Sequence, residues 1–343
     1  MFNSSTTEQD ILSQPDVWRE SLEGLDAGRL RSAWGPTVTD VVVTGCGSTH
    51  YLALTAAELL RRVPGLNVRA APASELMAEA TPAYRTPPSA LLLAISRSGE
   101  TSETVAAVAE FRRLGGGRVV AITTMADSTL ADVADASVVV SAAAEVSVAQ
   151  TRSFSSMLLA VQALFAALSG QDLGVLRDLP ELATQTLERT RDAVADVARD
   201  QSLESFYFLG SGPLFGIASE AMLKLTEMSL TQSEAYHTLE FRHGPMSMCD
   251  PAAAVVALIT PERLRIEQTV VNDVTALGVR MLTLGKAQQI EVPTGLPAWA
   301  RPVLYLLPLQ LLALERCVAK GLNPDQPRHL TAVIHLDPVI KTA

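Results

Sequence analysis

The sequence is poor in cysteine and histidine, the residues that most often build disulfide frameworks and zinc sites. It has 3 cysteines and 5 histidines among 343 residues, with no CxxC pair and no HExxH motif. An odd number of widely spaced cysteines is typical of reduced thiols in a cytoplasm. We therefore predict a cytoplasmic protein that has neither a disulfide framework nor a metal centre.

Charged residues are also scarce, at 19% of the chain, and the net charge is -10. A charged fraction below the ~25% usual for soluble domains suggests that surface is buried between subunits, so we expect an oligomer. The negative charge offers no general attraction for nucleic acid or acidic membranes. The N-terminus does not resemble a signal peptide, and the most apolar stretch, residues 302–314, is too short for a bilayer. We expect neither nucleic acid nor membrane as a partner.

What the sequence does contain is an alternation of short apolar runs with longer helical patterns, which indicates an α/β fold. An N-terminal helical segment, residues 1–30, comes first. Buried parallel strands are then predicted at 41–45, 90–96, 118–124 and 137–141. A long helix over 153–168 is followed by a second series of predicted strands, at 205–210, 252–260, 278–285 and 301–307.

The two series resemble one another. Residues 45–60 and 210–225 each combine the end of a strand, a GxG turn and a helix. Any two strand–helix units share such features, and that reading stays open, but the order of the following strands also agrees. We therefore predict two tandem doubly wound parallel-sheet halves, residues 31–170 and 190–335. The turn at 45–50 lacks the third glycine of a dinucleotide fingerprint, which disfavours NAD binding.

The hydroxyl-rich segment 95–104 lies between a predicted strand and a predicted helix, where ligands bind in α/β sheets. Ser96, Ser98 and Thr101 offer hydrogen-bond donors without fixed charge, with Ser102 as a further candidate, and Gly99 permits close approach of the backbone. The N-terminus of the following helix attracts anions. These features predict a phosphate-binding loop, with ordinary helix capping as the alternative.

A second candidate group lies in residues 219–245. Glu220, Lys224 and Glu227 have the spacing that places side chains on one helix face. An exposed salt-bridge stripe would have this spacing too, but the intervening residues are mostly apolar. A carboxylate on a largely buried helix beside an ammonium is suited to general base catalysis, so Glu227 is the candidate base. His243 could handle a second proton or be structural.

Taken together, these motifs resemble the sugar isomerase (SIS) family, in particular the isomerase half of glucosamine-fructose-6-phosphate aminotransferase and the stand-alone phosphosugar isomerases and deaminases. The resemblance covers roughly residues 30–335 and rests on SRSGET, EVSVAQTRSF, KLTE with EAYHTLEFRHGP, and NPDQPRHL. It implies two flavodoxin-like SIS subdomains. It also implies proton transfer between the first two carbons of a hexose or hexosamine 6-phosphate, by isomerisation or deamination, without metal or cofactor. A non-catalytic module that binds a sugar phosphate and regulates a partner is the alternative.

The resemblance also implies roles for individual residues. Glu227 would carry the proton and Lys224 would orient Glu227. His243, supplied by the neighbouring subunit of a homodimer, would open the sugar ring. The phosphate would be held by Gly47, Ser48, Thr49, Ser96, Arg97, Ser98 and Thr101. The sugar would be lined by Val148 and Gln150.

Three departures from the family pattern modify these expectations. Ala332 stands where the aminotransferases carry a lysine that forms a Schiff base, so enolisation or deamination without that lysine is expected. The chain begins with Met1 and lacks the cysteine-led glutaminase domain, so we expect no glutamine-dependent amination. Arg97 and Arg152 replace the more usual glutamine and lysine, and an arginine in the phosphate loop would strengthen anion binding.

Overall fold

The computed structural model describes residues 5–36, 38–78 and 89–336, which fall into two compact units. We call them the first-sheet unit and the second-sheet unit. The first-sheet unit takes its residues from Asp16–Val146, Arg152–Arg177 and Thr331–Ala343. The second-sheet unit takes its residues from Met1–Pro15, Ser147–Thr151 and Asp178–Leu330.

Most of the segments that connect the strands are helical. In chain order they are α1 (Thr6–Leu12), α2 (Gln14–Glu23), α3 (Ala27–Trp34), α4 (Ser48–Leu60), α5 (Ala73–Ala78), α6 (Ser102–Arg113), α7 (Thr129–Val133), α8 (Arg152–Ser169), α9 (Leu179–Ala198), α10 (Pro213–Ser229), α11 (Leu264–Ala276) and α12 (Pro302–Ala319).

The first-sheet unit contains a five-stranded parallel sheet in the order β2-β1-β3-β4-β5. Its strands are β1 (Asp40–Gly45), β2 (Asn67–Pro72), β3 (Ala90–Ile95), β4 (Arg118–Thr123) and β5 (Ala136–Val139). All six residues of β3 are buried, because a central parallel strand is covered by helices on both faces. The strand order reverses between β1 and β3, and this switch point is where such sheets bind ligands.

The second-sheet unit repeats this topology. Its strands are β6 (Ser205–Gly210), β7 (Gln232–His237), β8 (Ala253–Leu258), β9 (Arg280–Gly285) and β10 (Ile290–Glu291). They form a parallel sheet in the order β10-β9-β8-β6-β7, so that β6 and β8 flank the switch point as β1 and β3 do in the first sheet. The predicted α/β fold with two doubly wound parallel sheets is confirmed.

Some elements differ from their prediction. The apolar run 301–307 was expected to be a strand but forms the start of α12, with Pro302 at the first helical position. Proline is well suited to that position, and a helix buried on all sides has no periodic polar face to distinguish it from a buried strand. The sequence reading also missed β2 and β7, which are edge strands with partly exposed residues and therefore lack a continuous apolar run.

Helices α8 and α12 are long and apolar enough to cross a membrane by length and composition alone. However, 83% of the apolar window in α8 and 89% of that in α12 are buried inside the protein. Because core helices of soluble proteins have the same composition, these two helices are weak evidence for a membrane. At 18 residues, α12 is longer than the apolar run 302–314 noted in the sequence.

Candidate functional site

The turn between β1 and α4 carries the first group of predicted phosphate-binding residues. Gly47 lies at the N-cap position just before α4, with a φ of +54°, a conformation that favours glycine. The Thr49 hydroxyl donates to the carbonyl oxygen of Cys46 and accepts from the Cys46 N–H, both at 2.9 Å. A Cβ atom on Gly45 would lie 2.5 Å from Thr49 Oγ1. The turn is therefore tight, and it buries Ser48 and Thr49 at the carboxyl end of the first sheet.

The hydroxyl-rich loop follows β3, as predicted, and leads into α6. Ser96 Oγ accepts from the Gly99 N–H at 3.1 Å and shares a hydrogen bond of 3.3 Å with the Thr101 hydroxyl. Ser98 Oγ accepts from the Glu100 N–H at 3.1 Å. The structure therefore brings Ser96, Ser98 and Thr101 together, and their hydroxyl oxygens shape the loop from within. In the described part of the chain, the Ser98 hydroxyl donates no hydrogen bond, so its hydrogen can be offered to an anion.

This loop is braced by the start of α7. Gly99 has a φ of +68°, and a Cβ atom there would lie 2.2 Å from Ser128 Oγ. The Leu130 N–H donates to the Gly99 carbonyl oxygen at 2.9 Å. The Glu100 carboxylate accepts from the N–H and the hydroxyl of Thr129, both at 2.7 Å, and these hydrogen bonds lower the pKa of Glu100. The loop is thus held in one conformation by its own unit.

Arg97 contacts groups that the sequence did not suggest. Its Nη1 lies 3.5 Å from Glu145 Oε1, and the Glu145 side chain is fully buried. Its Nη2 donates to the Ala332 carbonyl oxygen at 2.8 Å. Glu145 also accepts a hydrogen bond from the Ser153 hydroxyl. The guanidinium therefore joins a buried carboxylate to the C-terminal segment, while the expected contact of Arg97 with phosphate stays a prediction.

The C-terminal segment also contacts the start of α6. The Ser102 N–H donates to the Ile334 carbonyl oxygen at 3.4 Å, and the Leu336 N–H donates to Ser102 Oγ at 3.2 Å. Sequence reasoning missed both Glu145 and this contact. Glu145 belongs to the EVSVAQ motif, where a carboxylate among small and apolar residues was the available signal.

The second group of predicted residues lies on α10. Lys224 Nζ is 3.3 Å from Glu220 Oε1 and forms a hydrogen-bonded ion pair with Glu227. The side chains of Lys224 and Glu220 are 1% and 0% exposed, whereas that of Glu227 is 14% exposed. The prediction that these three side chains share one helix face is therefore correct. Glu227 is the member of the group that a substrate can reach.

The charges of this group set the protonation of the lysine. Burial by itself lowers the pKa of Lys224, but the carboxylates of Glu220 and Glu227 outweigh it, so that its pKa is raised. Lys224 is consequently an ammonium at neutral pH, and it holds the Glu227 carboxylate in a hydrogen-bonded ion pair. A partly accessible carboxylate that is held in one position can act as a general base toward carbon.

The remaining predicted residues also lie in the second-sheet unit. His243 is exposed and follows a 3₁₀ turn, where its N–H donates to the Glu240 carbonyl oxygen at 2.9 Å. Val148 and Gln150 are partly buried in the loop Ser147–Thr151. The side-chain oxygen of Gln150 is buried and has no hydrogen-bond partner among the described residues. It is therefore an acceptor that a ligand hydroxyl could satisfy.

Other titratable groups near the first turn are poor candidates for catalysis. Burial raises the pKa of Cys46 to about 11, so this thiol is protonated at neutral pH. Burial also lowers the pKa of His50, which makes its imidazole neutral. Within residues 5–36, 38–78 and 89–336, no cluster of three or more histidine, cysteine, aspartate or glutamate side chains could hold a metal ion.

Comparison with known proteins agrees with this architecture. The family model of the SIS domain matches residues 38–167 and 202–289, more than half of the chain. The glutamine–fructose-6-phosphate aminotransferase (isomerizing) of Gluconobacter oxydans is 31% identical over 326 residues, which cover 88% of this chain and 52% of that protein. The corresponding protein of Symbiobacterium thermophilum is 31% identical, with coverages of 96% and 58%. The chain spans about half the length of the curated relatives it matches.

Solved structures extend the comparison over nearly the whole chain. A glucosamine-6-phosphate deaminase from Thermotoga maritima superposes with a TM-score of 0.86 at 27% identity, covering 97% of this chain and 100% of that one. The tagatose-6-phosphate ketose/aldose isomerase of Escherichia coli has a TM-score of 0.85 at 22% identity, with coverages of 98% and 97%, and shows the shared fold. From the family match and these relatives, the chain belongs to the SIS domain family.

Proposed function

We propose that this protein is an enzyme that acts on a hexose or hexosamine 6-phosphate. It isomerises the sugar by moving a proton between the first two carbons. In an amino sugar the same proton transfer gives a ketimine at the second carbon, which water hydrolyses to a ketose phosphate and ammonia. Both reactions proceed through an enediol or enolamine, so they require an acid and a base near these carbons but no redox cofactor.

The observation that carries this proposal is the ion pair of Lys224 with Glu227 on α10. Lys224 is almost fully buried, and its neighbour Glu227 is the only member of the Glu220–Lys224–Glu227 group with an accessible side chain. Burying an ammonium costs free energy that an ion pair repays poorly, so stability alone does not explain this arrangement. A base that must be held in one orientation does explain it.

The loop after β3 supplies a place for the phosphate. Its hydroxyl groups, its backbone N–H groups and the start of α6 offer neutral donors to a phosphate anion. In a protein of net charge -10, such a local cluster attracts an anion that the rest of the surface repels. We propose that Ser96, Ser98 and Thr101 bind the phosphate, together with the Gly47–Thr49 turn.

The known relatives support the substrate class. Their names include an isomerizing aminotransferase and a deaminase of glucosamine 6-phosphate. By the family resemblance, Ala332 would stand where the aminotransferases have their Schiff-base lysine, and its carbonyl oxygen accepts a hydrogen bond from Arg97. We therefore propose direct enolisation or deamination, with no covalent link between the C-terminal segment and the sugar.

The substrate class can be tested with a panel of sugars. Glucosamine 6-phosphate, fructose 6-phosphate, glucose 6-phosphate and tagatose 6-phosphate are each incubated with the protein, beside the same sugars without phosphate. Chromatography of the sugar products and an ammonia assay then separate isomerisation from deamination. We expect turnover of at least one phosphorylated sugar and none of its unphosphorylated counterpart. Binding without conversion of any sugar would instead favour the regulatory module.

We also propose that the protein is a cytoplasmic homodimer in which His243 completes the active site of the neighbouring subunit. Mixing the inactive variants Glu227→Gln and His243→Ala under conditions of subunit exchange tests this arrangement. If each site combines Glu227 of one subunit with His243 of the other, random exchange restores about a quarter of the wild-type activity. No recovery after verified exchange would contradict the proposal.

A further inference from the structure

The loop Ser147–Thr151 and the N-terminal helix α1 belong to the same unit. The Ser147 hydroxyl donates to Asp10 Oδ2 at 2.6 Å and also lies 3.2 Å from the Ala149 carbonyl oxygen. Asp10 and Ser147 are each 3% exposed. A short hydrogen bond from a hydroxyl to a buried carboxylate is stronger than a hydrogen bond between two neutral groups. Asp10 therefore holds the first residue of the loop.

The other end of the loop is held by α12. Gln310 Nε2 donates to the Thr151 carbonyl oxygen at 3.1 Å, and Gln14 Nε2 donates to Gln310 Oε1 at 2.8 Å. All three residues are fully buried. Buried amides that are linked by hydrogen bonds hold one another in place, because breaking any of these hydrogen bonds would leave a polar group buried without a partner. The loop is thus anchored at both ends by buried side chains.

Helix α1 is itself fixed in place. The backbone N–H groups of Thr6 and Thr7 donate to the Asp325 carboxylate at 2.9 and 2.8 Å, and the Thr7 hydroxyl donates to it at 2.7 Å. These hydrogen bonds lower the pKa of Asp325, although burial opposes them. A carboxylate that satisfies the first N–H groups of a helix stabilises that end. Asp10 therefore projects from a rigid support.

Between the two anchors lies Gln150, whose side-chain oxygen is buried and has no partner in the described part of the chain. Leaving a buried acceptor unsatisfied is unfavourable, and a ligand that donates a hydrogen bond to it removes the penalty. For this to help recognition, the loop must hold the amide still before the ligand arrives.

We propose that Asp10 is a positioning residue for sugar recognition. By accepting the hydrogen bond from Ser147, it fixes the loop so that the Gln150 side chain can accept a hydrogen bond from a hydroxyl of the substrate. This inference rests on the proposed function, and it gives the N-terminal helix a role in selecting the sugar part of the ligand, separate from the binding of phosphate.

The test measures by calorimetry how tightly the protein and its variants bind two ligands. One is a sugar phosphate that the wild-type protein binds, and the other is inorganic phosphate. Asp10→Ala and Ser147→Ala are each expected to weaken binding of the sugar phosphate about 10-fold and to leave binding of inorganic phosphate unchanged. Because both remove the same hydrogen bond, the double variant should bind no more weakly than either single variant. Asp10→Asn keeps an acceptor oxygen and should restore most of the affinity.

Asp16→Ala is the matched control, since the Asp16 side chain lies in the next helix and is 85% exposed. It should bind both ligands as the wild type does. If Asp10→Ala fails to fold, Ser147→Ala and Asp10→Asn carry the comparison. The inference is overturned if the folded Asp10 and Ser147 variants bind the sugar phosphate normally, or if they lose affinity for both ligands equally. A wild-type protein that binds no sugar phosphate would remove the proposed function itself, and this inference with it.

Discussion

Replacing Lys224 with methionine removes the positive charge from between two carboxylates while keeping an unbranched side chain of similar length. At the 3.3 Å separation of Lys224 Nζ from Glu220 Oε1, an effective dielectric constant of about 20 gives an attraction of about 5 kcal/mol. The measured loss is expected to be about 3–5 kcal/mol, the usual consequence of leaving a buried charge without its partner. The loss of Lys224 affects mainly the carboxylate of Glu220, because that side chain is fully buried.

Thermal unfolding at pH 7 measures this loss, which corresponds to a fall in Tm of about 10 °C. The double variant Lys224→Met with Glu220→Gln also removes the buried negative charge of Glu220, and it should recover about 2 kcal/mol of that loss. The carboxylates raise the pKa of Lys224 from its usual 10.5, so near neutral pH the protonated lysine contributes its full stability. On the alkaline side, that contribution is lost as the pH rises through the raised pKa.

Two outcomes of the unfolding experiment would contradict this prediction. Loss of activity in Lys224→Met is not one of them, because the proposed function already predicts it. A loss of less than about 1 kcal/mol would mean that the group is solvated rather than buried. A double variant that is no more stable than Lys224→Met would mean that the Glu220 carboxylate is not the group that Lys224 stabilises.

Three further variants test single features of the fold. Gly99→Ala should lower the stability by about 1–3 kcal/mol and weaken phosphate binding, since φ is +68° and the new Cβ would meet Ser128. An unchanged affinity for phosphate would contradict the proposal that this loop binds it. Burial raises the pKa of Glu267, so Glu267→Gln should gain Tm over the wild type as the pH rises above about 4.5; parallel Tm curves from pH 4 to 8 would contradict this. Burial lowers the pKa of His50, so the wild type should lose stability as the pH falls below about 6.5. His50→Gln should lose less over that range, and equal acid sensitivity of the two proteins would be the contrary result.

Much of the fold is predictable because it depends on local patterns. The run ALLLAI of β3 is apolar without interruption, and a central parallel strand buried on both faces requires that composition. The paired GxG turns predict the repeated topology. The spacing of Glu220, Lys224 and Glu227 predicts one helix face, because helical periodicity fixes which side chains are neighbours.

The features that escaped prediction depend on contacts distant in sequence. Phosphate binding by Arg97 stays a prediction, but its contacts with Glu145 and with the carbonyl oxygen of Ala332 were not foreseen. No spacing rule connects these positions. Likewise, nothing local marks Asp10 as the partner of Ser147. Such pairs are determined by the packing of whole elements, which a single sequence does not reveal.

In the proposed function, Glu227 moves a proton on a bound sugar phosphate. The most direct test is to measure binding and single-turnover product formation on the same preparations of wild-type protein and Glu227→Gln. We expect the variant to bind the sugar phosphate within about 3-fold of the wild type, while product formation falls by at least about 100-fold. Product formed by Glu227→Gln at the wild-type rate, or none formed by the wild type from any sugar phosphate it binds, would contradict it.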